Sequence, residues 1–218
     1  MKTYPLGRLQ ATDERDHEYP IRQLLPRKPS KRLSRYWWDD GWWGDQGETS
    51  QCVAYSFVHW LKDGPVLQAG DFDPRVIYAE AQRLDEILGE NYEGTTVRGG
   101  VKALVARGLV KEYRWAFDVY TVIQTLLELG PVVVGTNWYE SMFTPDAVGR
   151  ISIGGKQAGG HAYVLNGVSR ITRQFRIKNS WGRGWGRAGH AFISFDNFSR
   201  LLGERGEACL AVEIAKPA

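Results

Sequence analysis

The stretch GDQGETSQCVAYSF, residues 44–57, places one of the chain's two cysteines between a polar turn and an apolar helical pattern. Apolar residues recur at helical spacing over residues 53–61, which predicts a helix with a buried face. If Ser50 caps this helix, Cys52 lies in its first turn, where unpaired backbone N–H groups and the helix dipole stabilise a thiolate. Cys52 is therefore a candidate nucleophile, although a lone cysteine beside apolar residues is more often a small core residue.

A nucleophilic thiol needs a base within hydrogen-bond reach. The histidines that can supply it are His17, His59, His161 and His190. His59 stands roughly 10 Å from Cys52 along the same helix, and two of the others occupy positions that favour an ordinary structural role. His161 follows Gly159-Gly160, which allow close approach, and it opens a strand pattern that can hold an imidazole rigidly.

A later segment, IKNSWGRGWGRAGH at residues 177–190, supplies a candidate third member of the site. The Asn179 amide can accept a hydrogen bond from an imidazole N–H and so fix its tautomer and orientation. Trp181 and Gly160 are candidate substrate-binding residues, because Trp181 can shield that bond from water and Gly160 removes a side chain beside His161. Taken alone, the segment is equally well explained as a turn with aromatic packing.

Taken together and in order, DQGETSQCVAYSF, GGHAYVLNGV and KNSWGRGWGRAGHAFI resemble three motifs of the papain-like cysteine peptidases. The resemblance covers the chain from about Trp38 to the C-terminus. It implies that Cys52 attacks the scissile carbonyl, that His161 carries the proton, and that Asn179 orients His161. By the same resemblance, Gln46 donates its side-chain amide to the oxyanion together with the Cys52 backbone N–H.

The chain departs from the family pattern in three ways. Thr49 stands where the family has a cysteine that is normally in a disulfide, and Val53 replaces the tryptophan after the nucleophile. The G-C-x-G-G segment that helps line the family's substrate cleft is not found, and YEGTTVRGG at residues 92–100 is the candidate for a comparable place. With these positions changed, the family's substrate preference does not carry over.

The pattern of helical and β-like segments changes midway along the chain. Asp73 and Pro74 begin a second helix whose apolar stripe extends to Leu88, and shorter helical patterns follow near residues 97–107 and 120–129. After Gly130-Pro131, short β-branched or aromatic runs alternate with glycine-rich turns. The chain is therefore predicted to be α+β.

The resemblance refines this fold class. It implies a papain-like fold, with a helical lobe, an antiparallel β-barrel-like lobe and the active site in the cleft between them. We expect an extended N-terminal arm at residues 1–37 and a peptidase domain at 38–218, with the helical lobe over about 45–118 and the β-rich lobe over about 130–218.

Bulk properties narrow the classes of partner. The formal net charge of +3, from 28 basic and 25 acidic side chains, gives no support to nucleic-acid binding. No apolar run approaches the roughly 18 residues that span a bilayer, and the start of the chain lacks the apolar core of a signal peptide. Two cysteines allow at most one disulfide, which suits a reducing compartment. We expect a cytoplasmic protein with no nucleic-acid or membrane partner.

Cofactors and regulation are the remaining expectations. The cysteines and histidines show no paired ligand spacing, so we expect no metal and no other cofactor, and Cys209 is predicted to be a buried strand residue. The segment before Trp38 is shorter than the family's inhibitory pro-region and is not helical in pattern. We therefore expect activity to be restrained by location, by substrate fit or by a protein inhibitor or regulator, rather than by the arm.

The leading hypothesis is a peptidase that acts on a peptide or protein substrate. Isopeptide cleavage and acyl transfer stay open, because both proceed through the same acyl-enzyme. A third alternative is a peptide-binding module that kept the fold and lost turnover. Alkylation separates it from the others, because an activated Cys52 reacts much faster than Cys209.

Overall fold

The computed structural model describes residues 4–11, 13–65, 67–89 and 92–213. Its α-helices in this part of the chain are α1 Cys52–Leu61, α2 Pro74–Leu84, α3 Val97–Ala106, α4 Val119–Glu128 and α5 Phe195–Gly203. Its strands are β1 Ser34–Tyr36, β2 Val110–Trp115, β3 Val132–Tyr139, β4 Gln157–Ser169, β5 Gln174–Lys178, β6 His190–Ser194 and β7 Glu207–Glu213. Within the described residues, no helix has the length and apolar character needed to cross a membrane. The predicted α+β class is confirmed.

The strands form one antiparallel sheet in the order β2-β7-β3-β4-β5-β6, and β1 pairs with β4 outside this path. β4 is the longest strand and pairs with β1, β3 and β5. The segment predicted as the helical lobe, 45–118, contains β2, and the segment predicted as the β-rich lobe, 130–218, contains α5. Each segment therefore contributes both kinds of element.

Alternate residues of β3 and β4 enter two separate hydrophobic cores, because successive side chains of a strand point to opposite faces. Val134 and Leu165 belong to the core that α4 and α5 cover. Val133 and Val164 belong to the core that α1, α2 and α3 cover. This second core also holds Cys52, so the packing of α1 on the sheet sets the position of the candidate nucleophile.

The second predicted helix is shorter than its apolar stripe indicates. It ends at Leu84, because the Asp85 carboxylate accepts the backbone N–H of Ile87 and Glu86 adopts a left-handed φ of 63°. Leu88, predicted to be on the buried stripe, is 97% exposed.

The predicted capping of α1 by Ser50 is wrong. Gln51 is the N-cap and makes no side-chain cap hydrogen bond, whereas Ser50 Oγ donates to Glu93 Oε2 at 2.9 Å. Cys52 is nevertheless the first residue of the helix, where the backbone N–H groups have no partner within the helix.

Candidate active site

Cys52 lies at the start of α1 against β4. The nearby backbone N–H groups of Ala162, Gly7 and Val53 favour the thiolate, but burial has the larger effect and raises the pKa of Cys52 to about 11. The thiol is therefore protonated in this state. Both cysteines are free, and Cys209 is buried in β7, as predicted.

His161, on β4, and Asn179, directly after β5, are joined as expected for a base and its orienting group. His161 Nε2 lies 2.8 Å from Asn179 Oδ1, which also accepts the backbone N–H of Ser180 at 2.8 Å. Because this oxygen is the acceptor in both bonds, His161 Nε2 carries the hydrogen and Nδ1 is the basic nitrogen. Nδ1 has no hydrogen-bond partner among the described residues.

Aromatic rings surround the His161–Asn179 pair. Trp181 stacks on His161 with ring centroids 4.4 Å apart, and Trp138 meets the edge of the imidazole at 4.8 Å. The rings exclude water from the imidazole, so burial lowers the pKa of His161 to about 4, although the hydrogen bond to Asn179 acts in the opposite direction. The sequence did not single out Trp138, which reaches the site because β3 pairs with β4.

Gln46 forms hydrogen bonds with Ser180, which lies 134 residues later in the chain, in the turn after β5. Its Oε1 accepts the Ser180 hydroxyl at 2.7 Å, and its backbone N–H donates to the Ser180 carbonyl at 2.8 Å. Its side-chain Nε2 donates to the carbonyls of Thr49, at 2.6 Å, and Pro5, at 3.2 Å. The structure therefore brings the polar turn before Cys52 and the turn after β5 together, and the Gln46 amide donates to a carbonyl of the N-terminal arm.

Comparisons with known proteins bear on the fold that holds these residues. No protein-family model matches the chain. An uncharacterized peptidase C1-like protein of Acanthamoeba polyphaga mimivirus is 22% identical over 67% of this chain, and the chain spans 62% of that relative's length. Xylellain, a cysteine protease from Xylella fastidiosa, superposes with a TM-score of 0.73 at 17% identity over 99% of both chains.

Two further solved structures have the same architecture. A digestive procathepsin proteinase from the larval midgut of Tenebrio molitor has a TM-score of 0.66 at 16% identity, over 96% of this chain and 78% of its own. A cysteine protease of Carica candamarcensis has a TM-score of 0.64 at 15% identity, over 84% of this chain and 100% of its own. The chain has the papain-like fold.

The cleft of this papain-like fold is occupied by the chain's own N-terminus. Residues 4–9, here called the arm segment, lie in an extended conformation between Thr95 and Gly160. The N–H of Thr95 donates to the Gly7 carbonyl at 2.9 Å, and its carbonyl accepts the N–H of Leu9 at 2.9 Å. On the opposite side, the N–H of Arg8 donates to the Gly160 carbonyl at 3.0 Å.

This arrangement contradicts the expectation that the arm leaves the site open. Tyr4 stacks on Trp181 at 4.4 Å, and Cys52 is 0% exposed beneath the arm segment. A Cβ on Gly7 would lie 2.0 Å from the Ser50 carbonyl oxygen, so the close approach needs a glycine. The expectation rests on the arm's short length and non-helical pattern, but a short extended segment is enough to fill a cleft.

The arm segment also reveals which residues line the cleft of this papain-like fold. Gly160 borders the arm segment, because a Cβ there would lie 2.2 Å from the Arg8 carbonyl oxygen, and its role in substrate binding stays a prediction. Thr95 belongs to the YEGTTVRGG segment, which therefore takes the place expected for it. Trp181 is 3% exposed and meets the arm through Tyr4.

Proposed function

We propose that this protein is a cysteine peptidase that hydrolyses peptide bonds through a thioester acyl-enzyme on Cys52. The observation that carries the proposal is one cleft that already binds a peptide backbone. It brings together Gln46, the His161–Asn179 pair and Cys52, which lies beside Gly7 of the arm segment and Ala162 of β4. The papain-like fold of solved cysteine proteases supports the same chemistry.

The proposed reaction assigns one role to each group. His161 Nδ1 takes the proton of the Cys52 thiol, the sulfur attacks the scissile carbonyl, and the resulting imidazolium gives the proton to the leaving amine. Asn179 holds the imidazole through Nε2–H. Gln46 Nε2 and the Cys52 backbone N–H donate to the oxyanion. Water, deprotonated by His161, then attacks the thioester and releases the acid product and the free thiol.

The closed state disfavours this chemistry, so the arm segment must leave before turnover. Burial raises the pKa of Cys52 and lowers the pKa of His161, and both shifts oppose the charged forms. Release of the arm readmits water to the cleft, which favours the thiolate and imidazolium. We therefore propose that the protein is latent until the arm segment is displaced.

The test uses a peptidyl epoxide that alkylates activated thiols, with intact-mass detection on the full chain. In Gly7→Ala, the clash with the Ser50 carbonyl expels the arm segment from the cleft. This variant should gain one adduct faster than wild type. Cys52→Ala should gain none, and His161→Ala should react far more slowly. If Gly7→Ala reacts no faster than His161→Ala in the same background, the thiol is not activated and the proposal fails.

The two alternatives have distinct signatures. An isopeptidase or acyl-transfer enzyme also gives the adduct, but added amines then divert the acyl group from water to a new amide. An inactive peptide-binding module also explains why the cleft holds the arm backbone, and it gives no activated thiol. Peptide or protein substrates fit all three possibilities, and a protein inhibitor or regulator remains a proposal.

A further inference from the structure

Residues 92–95, here called the edge segment, form one side of the cleft. Thr95 binds the arm segment twice, because its backbone N–H donates to the Gly7 carbonyl and its carbonyl accepts the N–H of Leu9. Both backbone groups of Thr95 must face the cleft for these two bonds to form. The orientation of this residue therefore decides whether the edge segment can bind a peptide backbone.

Three polar side chains of α2 and its C-cap contact the edge segment. They belong to Tyr78, Gln82 and Asp85, at positions i, i+4 and i+7. This spacing places them along one face of the helix. We call these three residues the polar row.

The first two members of the polar row bind the backbone of the edge segment. The Tyr78 hydroxyl accepts the N–H of Gly94 at 2.7 Å. Gln82 Nε2 donates to the carbonyls of Tyr92 and Gly94 at 3.0 and 3.1 Å. These three hydrogen bonds fix the course of the chain immediately before Thr95.

The third member, Asp85, binds the side chains at both ends of the edge segment. Its Oδ2 accepts the Thr95 hydroxyl at 2.6 Å, and its Oδ1 accepts the Tyr92 hydroxyl at 2.8 Å. Asp85 is 2% exposed and Thr95 is 0% exposed. A buried carboxylate that loses a donor is strongly penalised. Asp85 therefore holds the Thr95 side chain in place while the N–H and carbonyl of Thr95 bind the arm segment.

Noncovalent contacts alone hold the edge segment in the cleft wall. Both cysteines are free, so no disulfide ties this segment down. The segment also lies very close to the arm segment, since a Cβ on Gly94 would be 2.5 Å from the Gly7 carbonyl oxygen. Any displacement of the edge segment is therefore transmitted directly to the backbone that it binds.

We propose that the polar row positions the edge segment for binding an extended peptide backbone, so that α2 sets how tightly the cleft holds the arm segment. Tyr78, Gln82 and Asp85 are positioning residues in this account, because they act through Thr95. The same role in binding substrates rests on the proposed peptidase function, whereas the effect on the arm segment does not.

The test is the rate of iodoacetamide labelling of Cys52 in the full chain at neutral pH. Thr95→Val keeps the shape of the side chain and removes the hydroxyl that Asp85 binds. It should label about 10- to 30-fold faster than wild type, because two backbone hydrogen bonds to the arm segment are weakened. Thr95→Ser keeps the hydroxyl and should label within about 3-fold of wild type.

Two further variants control for folding. Thr125→Val removes a bond of the same kind, from a buried threonine hydroxyl to the Thr121 carbonyl at 2.8 Å in α4. This helix covers the other hydrophobic core, so the variant should label like wild type. Tyr78→Phe removes the acceptor of the Gly94 N–H and keeps the ring. It should also label faster, and it provides the measurement if Thr95→Val does not fold.

A double variant separates positioning from a general loosening of the fold. In the Gly7→Ala background the arm segment is already expelled, so Thr95→Val should add less than about 3-fold to the labelling rate. A substitution that only loosens the structure around Cys52 would add its full effect. In the same open background, acetyl-YPLGRL-amide, which copies residues 4–9, should protect Cys52 from labelling. Thr95→Val should weaken the apparent affinity of this peptide at least about 10-fold.

The outcomes separate this proposal from the peptidase. Wild-type labelling rates in Thr95→Val and Tyr78→Phe would overturn the role of the polar row, and so would full additivity with Gly7→Ala. No protection by the hexapeptide, or protection that Thr95→Val leaves unchanged, would overturn the extension beyond the arm segment. Iodoacetamide reports access to the thiol and needs no turnover. The expected labelling pattern without any epoxide adduct would therefore refute the peptidase and leave the role of the polar row established.

Discussion

Replacing Gly7 with alanine should open the cleft without removing any side chain proposed to take part in catalysis. The Cβ of alanine would lie 2.0 Å from the Ser50 carbonyl oxygen and 2.5 Å from its carbonyl carbon. Both contacts are with backbone just before the N-cap of α1, which cannot move without displacing Cys52. The arm segment is the part with freedom to leave, so the substitution should shift the protein toward an open state.

The size of the effect follows from the hydrogen bonds that hold the arm segment. Four hydrogen bonds join its backbone to the cleft, through Thr95 twice, Gly160 and Gln46. At a net contribution of about 1 kcal/mol each they hold the arm by about 4 kcal/mol, which leaves about one wild-type molecule in 1,000 open. Removing the closed state should therefore raise the labelling rate of Cys52 by up to about 1,000-fold.

The assay is the rate of iodoacetamide labelling, followed by intact mass at neutral pH in native buffer. Cys52→Ala in the same background identifies the labelled thiol, because Cys209 is the only other cysteine. Gly203→Ala is the matched control, since a Cβ at the end of α5 meets nothing within 4 Å, and it should label like wild type. Thermal unfolding checks that Gly7→Ala stays folded.

A folded Gly7→Ala protein that labels within about 3-fold of wild type would refute the reasoning. It would mean that the arm segment contributes less than about 1 kcal/mol to closing the cleft. The backbone contacts at Thr95 and Gly160 would then be incidental to the protection of Cys52.

Three further predictions concern the groups around the cleft. Asn179→Ala, in the Gly7→Ala background, should slow epoxide alkylation about 10- to 100-fold, because the imidazolium loses one charge-assisted hydrogen bond; an unchanged rate would remove the orienting role. Burial lowers the pKa of His161 to about 4, so folding favours the neutral imidazole. This contribution to the free energy of unfolding is complete above the unfolded pKa of about 6.5 and is lost as the pH falls toward 4. Urea unfolding should show about 2 kcal/mol of this loss between about pH 7 and pH 5, and His161→Gln should lack that part. Lys178→Met should lower the free energy of unfolding by about 3–5 kcal/mol, because Lys178 Nζ lies 2.5 Å from the buried Asp63 carboxylate; in urea unfolding the exposed ion-pair variant Arg173→Met should lose less than about 1 kcal/mol, and equal losses would contradict the argument.

Much of the proposed catalytic machinery lies in short segments whose local structure the sequence predicts. Helical spacing after Cys52 predicts α1, the glycines and β-branched run around His161 predict β4, and the turn that follows Asn179 completes the third motif. Each signal is local, since helix and strand periodicity are properties of neighbouring residues. The hydrogen bond between His161 and Asn179 could be anticipated only through the resemblance, because it joins a residue inside β4 to the residue that follows β5.

The sequence by itself determined the fold class, the helix that begins at Cys52 and the identity of the candidate triad, because each is encoded in a contiguous pattern. The tertiary structure alone decided what fills the cleft. Arg8 Nε donates to Glu207 Oε2 at 2.8 Å, although the two residues are 199 positions apart and neither belongs to a motif. Their pairing depends on where the arm segment meets the sheet, and such long-range shape complementarity leaves no periodic signal in the chain.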